Sequence, residues 1–133
     1  MCRAGNNLTM KKLGVIANCS KKRARDVLAK LSDKAGSLGL VLYADEPTAN
    51  LLGTDSRSPE ELFEEVDAVI ALGGDGTMLR VARSMGIKNK PMMGVNIGGL
   101  GFLTSVAEED LDCALDCLAG DFYMETVRSV IEC

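Results

Sequence analysis

Asp67 to Leu72 (DAVIAL) is a near-continuous apolar run that passes without a spacer into Gly73-Gly74-Asp75-Gly76-Thr77 and then into a helical pattern, which leaves little choice of architecture. A strand apolar on both sides of its pleat must be covered on both faces, as a central strand of a parallel sheet is. Its exit through glycines into a helix puts the turn at the strand's carboxyl end, where open parallel sheets bind ligands. The helix carries Met78, Leu79, Val81, Ala82 and Met85 and stops at Gly86.

The rest of the chain repeats that alternation. Leu13 to Ala17 reads as a short buried strand, and Ser20 is placed to cap a helix with Ala24, Val27, Leu28, Leu31, Ala35 and Leu38 on one stripe, ended by Gly39. Lys21, Lys22, Arg23 and Arg25 occupy its first turns and read as a solvated face, with a phosphate patch as the alternative. Leu40 to Ala44 is a second strand, and Asp45 to Arg57, with Pro47, Gly53 and small polar residues, reads as a loop. Ser58, Pro59 and Glu61 form a capping signature for the next helix. Pro91 to Asn96 is a strand, and Glu108 to Ala119 is a helix with an acidic first turn and Leu111, Leu115 and Leu118 on one face. The order predicts an α/β fold, an open parallel sheet with helices on both faces.

Composition narrows the chemistry. A hydrophobic fraction of 47% in 133 residues suffices for one ordinary domain with its own core. A formal charge of -4 argues against a nucleic-acid footprint, yet leaves room for nucleotides, which backbone N–H groups can hold inside an acidic protein. With no histidine, Ser/His and Cys/His nucleophile pairs and His-based metal sites are excluded. Cys2, Cys19, Cys113, Cys117 and Cys133 make an odd set with no C-x-x-C pair, so a reducing cytoplasm is the simple reading. Cys113 and Cys117, four apart on a helix, read as small apolar packing residues. No run approaches a membrane span, and the first nine residues lack the core of a signal peptide. Met10 is a second candidate start, which makes residues 1–9 an extension without a role and 10–122 the α/β nucleotide-binding domain.

Two glycine-rich turns fall at strand ends, Gly73 to Thr77 and Ile97-Gly98-Gly99-Leu100-Gly101-Phe102-Leu103-Thr104. Neither is G-x-G-x-x-G, and G-x-x-x-x-G-K-[ST] is absent, which disfavours a Rossmann hydride enzyme and a P-loop NTPase. Glycines leave no Cβ between backbone and ligand, so N–H groups of Gly73, Gly74, Gly76 and Thr77 can approach phosphate oxygens. Asp75 in such a turn would repel an anion. It therefore caps the helix, accepts a proton or binds a metal. Phe102, flanked by Gly101 and Leu103, is core filler or a flat surface for a purine.

These residues resemble the NAD kinase family. GGDGT at 73–77 with Leu79-Arg80 and Ala82-Arg83 is shared in part with diacylglycerol and sphingosine kinases and has a relative in phosphofructokinases; Asn96-x-Gly98-x-Leu100-Gly101-Phe102-Leu103-Thr104 is much more specific. The resemblance runs from about Lys11 to the end, and it implies phosphorylation of the adenosine ribose 2′-hydroxyl of NAD to NADP by ATP or polyphosphate. It implies Asp75 as proton acceptor, Asp75 and Gly76 lining the NAD site, Arg80 contacting it as a planar cationic fork, and Phe102 against the adenine, with Asn96, Gly98 and Gly101 in the second turn. Magnesium or another divalent cation would come with ATP and need no protein cage.

The family's β-rich C-terminal domain has no counterpart here, so Tyr123 to Cys133 reads as the first strand leading into an absent domain. An apolar strand ending there implies an unpaired edge and a homo-oligomer. Two other classes stay open: a lipid kinase, disfavoured by the second turn and by the lack of a membrane-seeking surface, and a non-catalytic nucleotide-binding module.

Overall fold

The computed structural model describes residues 2–4, 11–88, 90–98, 101, 104, 106–120 and 124–126, the first and last of these stretches as backbone. In chain order the elements are β1 (Cys2–Ala4), β2 (Lys12–Ala17), α1 (Ala24–Ser37), β3 (Val41–Ala44), α2 (Glu46–Leu52), α3 (Pro59–Glu65), β4 (Ala68–Gly73), α4 (Asp75–Met85), β5 (Met92–Asn96), β6 (Val106–Ala107), α5 (Leu111–Ala119) and β7 (Met124–Thr126). Strands β3-β2-β4-β5-β6 form a five-stranded sheet, parallel throughout. The pair β1 and β7 is antiparallel, so the stretch read as an extension contributes a short strand.

Every residue of β4 is buried, and the pleat explains how. Ile70 and Leu72 join Leu13, Val15, Val27, Leu31 and Leu115 in a core beneath α1 and α5. Val69 and Ala71 join Ile16, Leu62, Phe63 and Val81 beneath α3 and α4 on the other face. Each fully buried Leu or Ile contributes about 1.5–3 kcal/mol of transfer free energy, so this strand is held from both sides. The α1 stripe Ala24, Val27, Leu28, Leu31 and Ala35 is buried as its spacing predicts.

Four local expectations are corrected. Asp45 to Arg57 is not all loop, because α2 lies within it. Asp45 caps it by accepting from Thr48 N–H (3.3 Å), Pro47 sits in the first turn, and Gly53 ends it at φ 74°. Two turns are too few to show a stripe, so helix punctuation passes for loop composition. Helix α1 starts at Ala24, and Ser20 does not cap it; the Ser20 hydroxyl is satisfied locally by Asn18 Oδ1 (2.6 Å). The helix after 108 opens with a tight 3₁₀ turn, Glu108–Asp110. Cys113 is exposed and Cys117 only half-buried, on the outer side of α5, while Leu111, Leu115 and Leu118 take its core side. The two-residue β6, which pairs with Val95 and Asn96, is too short for its pattern to show.

Candidate functional site

Strands β2 and β4 are neighbours, but their following helices pack on opposite faces of the sheet: α1 on one, α4 on the other. Connections that leave adjacent carboxyl ends in opposite directions open a crevice between them, the topological switch point. An open cleft of about 410 Å³ lies there. Ala17, Asn18, Cys19 and Lys21 line it from the end of β2 and the loop that follows, Gly74, Gly76, Thr77 and Arg80 from the turn after β4 and from α4, and Pro47 from α2.

The two loops are held close at Gly73. A Cβ there would stand 2.5 Å from Thr77 Oγ1 and 3.1 Å from Asn18 Cβ, so only glycine allows this approach. Asn18 N–H donates to Leu72 O (2.8 Å) and Ile97 N–H to Gly73 O (2.8 Å), which extends the ladders into the turns. Ala17 N–H, at the end of β2, donates to the buried hydroxyl of Thr48 (3.0 Å). The Cys19 thiol beside it is pushed above its ordinary pKa by burial, with a Thr48 hydrogen bond opposing the rise.

Helix α4 begins without a side-chain cap. Gly74 occupies the N-cap and Asp75 is the first helical residue, so the reading of Asp75 as the cap is corrected. The first helical hydrogen bond runs from Met78 N–H to Gly74 O (3.1 Å), which leaves the Gly76 and Thr77 amides without a carbonyl partner inside the helix. Gly76 and Thr77, in the first turn at the positive end of the helix dipole, line the cleft together with Lys21 and Arg80. The arrangement suits an anion with several oxygens.

Asp75 looks the other way, toward the second turn. Its Oδ1 accepts from Thr104 N–H (3.4 Å). A Cβ at Gly101 would lie 2.7 Å from that same Oδ1 and 3.2 Å from Asn96 Nδ2, and would overlap Thr104 Oγ1. Asp75, Asn96, Gly101 and Thr104 therefore meet in one notch where β4 and β5 end, Gly73 pairing with Asn96 in register. Gly98, at φ 97°, turns the chain just beyond and is exposed. Phe102 lies outside the described residues, as do Gly99, Leu100 and Leu103.

Of the residues expected from the sequence, the structure brings Gly74, Gly76, Thr77 and Arg80 to the cleft and Asp75, Asn96 and Gly101 to the notch. Asn18 and Thr48 are additions that the sequence reading misses, Thr104 is placed in the second turn by that reading without a role, and Lys21 lines the cleft where the pattern favours a solvated face. The signal for Asn18 and Lys21 is position: they follow the strand that neighbours the glycine-motif strand.

Comparison with known proteins decides the family. The model of the ATP-NAD kinase N-terminal domain matches residues 13–122. The chain belongs to the NAD kinase family. An NAD kinase of Solibacter usitatus is 38% identical over 103 residues, covering 77% of this chain and 36% of the relative. One from Methanosarcina mazei is 33% identical over 131 residues, covering 96% and 44%. The chain thus spans about two fifths of the length of these curated relatives. The crystal structure of yeast NADH kinase complexed with NADH superposes with a TM-score of 0.77 at 12% identity, over 87% of this chain and 40% of that one. That likeness confirms the parallel α/β fold. Among the described residues no helix is long and apolar enough to cross a membrane.

Proposed function

We propose that this chain supplies the α/β half of an enzyme that phosphorylates the adenosine ribose 2′-hydroxyl of NAD to give NADP, with ATP or polyphosphate as donor. One observation carries the reading: Asp75 is relieved of capping because Gly74 holds the N-cap, and its carboxylate lies in the polar notch while its neighbours Gly74 and Gly76 line the cleft. A carboxylate at that boundary can take a proton from a hydroxyl on one side as a phosphoryl group arrives from the other.

In this reading the donor phosphates lie along the cleft, against the Gly76 and Thr77 amides and between Lys21 and Arg80. The ribose hydroxyl hydrogen-bonds to Asp75. As the bond from the 2′-oxygen to the terminal phosphorus forms, the bond to the leaving phosphate breaks and the hydroxyl proton passes to the Asp75 carboxylate. A positioned general base contributes about 10²–10⁴-fold, and the cations and amides neutralise charge on the transferred group. A divalent cation bound with the donor would supply charge neutralisation on its phosphates. Phe102, next to Gly101, is assigned to the adenine face, and the second domain, which the longer relatives have room for, to the remaining dinucleotide contacts.

The test is made in the full-length protein with NAD, magnesium and either ATP or polyphosphate, following NADP through a coupled dehydrogenase. Asp75→Asn should retain dinucleotide affinity and lose most turnover. Near-normal turnover in that variant removes Asp75 from the role of base, and no NADP from either donor with the unmodified protein overturns the function.

A further inference from the structure

The notch beside Asp75 contains an unusual hydroxyl. Thr104 Oγ1 is buried and has no hydrogen-bond partner among the described residues. Burying a hydroxyl without a partner is costly, so one that persists demands a reason. The same residue's N–H already donates to Asp75 Oδ1 (3.4 Å), and Oγ1 and Oδ1 both border the space that a Cβ on Gly101 would take.

We infer that Thr104 is a positioning residue of the Asp75 carboxylate, holding Oδ1 through its N–H and presenting its hydroxyl as a second donor to that oxygen when the ribose is bound. The proposal rests on the reading of Asp75 as base and adds how its carboxylate is aimed. Asp75 is the first residue of α4, so the helix sets where its side chain starts. Fixing one oxygen from β6's approach sets the plane of the carboxylate and thereby the direction of the other. Glycine at 101 completes the device: a methyl there would press on Thr104 Oγ1 and Asp75 Oδ1 together. Gly94 keeps the same residue in place from below, since a Cβ there would lie 3.1 Å from Thr104 Cα.

A base of loose orientation still binds its substrate but reacts less often, because the productive geometry is visited less. Thr104→Val keeps the N–H and the shape and deletes the hydroxyl; Thr104→Ser keeps both donors. In the full-length protein, Thr104→Val should lower kcat about tenfold, the rate equivalent of one hydrogen bond to a charged group, with KM for NAD within about twofold. Thr104→Ser should restore most of kcat. Asp75→Asn is measured alongside, and thermal melting monitors the fold. If Asp75→Asn abolishes turnover while Thr104→Val keeps normal kcat, the positioning role is wrong and the base stands. If Thr104→Val and Thr104→Ser lose kcat equally, or the loss tracks melting temperature across both, Thr104 is only a packing residue. If Asp75→Asn itself retains turnover, the reading beneath the proposal is what fails.

Discussion

Thr48 Oγ1 accepts a hydrogen bond from Ala17 N–H at 3.0 Å, joining a helix that begins after β3 to the last residue of β2. The hydroxyl is completely buried, and it closes the backbone ladder of β2 where the chain turns toward the cleft. Thr48→Val would leave that N–H without its acceptor at nearly unchanged volume. We expect a loss of about 1–3 kcal/mol in denaturant unfolding, and a much smaller loss for Thr48→Ser. Equal stability of Thr48→Val and the unmodified protein would show that the bond is incidental.

Lys21 and Arg80 both line one cleft. Replacing either by Ala should raise the KM for the phosphoryl donor about tenfold, equivalent to about 1.4 kcal/mol, and leave KM for NAD less affected by Lys21→Ala than by Arg80→Ala. The donor effect should shrink as salt is added, because both side chains reach solvent. Steady-state kinetics at two ionic strengths separates this from a fold defect, which salt would not reverse.

Cys19 lines the cleft and its thiol is raised from 9.0, first by burial. It should therefore remain protonated at neutral pH and alkylate slowly, more slowly than the exposed Cys113. Donor bound in the cleft should slow Cys19 further. Iodoacetamide labelling followed by peptide mass spectrometry, with and without ATP or tripolyphosphate, reads both effects; protection at Cys113 instead would place the anion elsewhere.

Arg23 pairs with Glu108 and so ties the loop after β2 to the segment after β6. The Arg23 guanidinium holds the Glu108 carboxyl below its ordinary 4.5. A depressed folded-state pKa stabilises above the unfolded value and ceases to do so as pH falls through the folded one. The unmodified protein should thus exceed Glu108→Gln in stability at pH 7, and the gap should narrow as pH falls below 4.5 and through the folded-state value. Arg23 is mostly exposed, so the gap should be small and salt-sensitive. A gap that stays constant from pH 7 to 3 would assign the effect to packing.

Much of the fold is legible in short-range pattern. The six buried residues of β4, the α1 stripe and the Ser58 cap, whose side chain accepts from Glu61 N–H at 3.3 Å, all follow from neighbours a few positions apart. The family is legible too, because the glycine turns and their spacing carry it. Where the pattern misleads, the element is short or its signal ambiguous: α2 has seven residues and β6 two, and the cysteines of α5 share its apolar character although Leu111, Leu115 and Leu118 already fill the core face.

What the amino-acid order determined by itself was therefore the set of elements and the chemistry of the turns, since apolar period, capping residues and glycines act between neighbours a few positions apart. Strand order was left to the tertiary structure. Only when β2 and β4 lie side by side with their helices on opposite faces do Asn18 and Lys21 face Gly76 and Thr77, and only when β5 pairs with β4 does Thr104 reach Asp75, 29 residues away. Those neighbours are chosen by burial of both faces of one sheet, a long-range free energy that no local window contains.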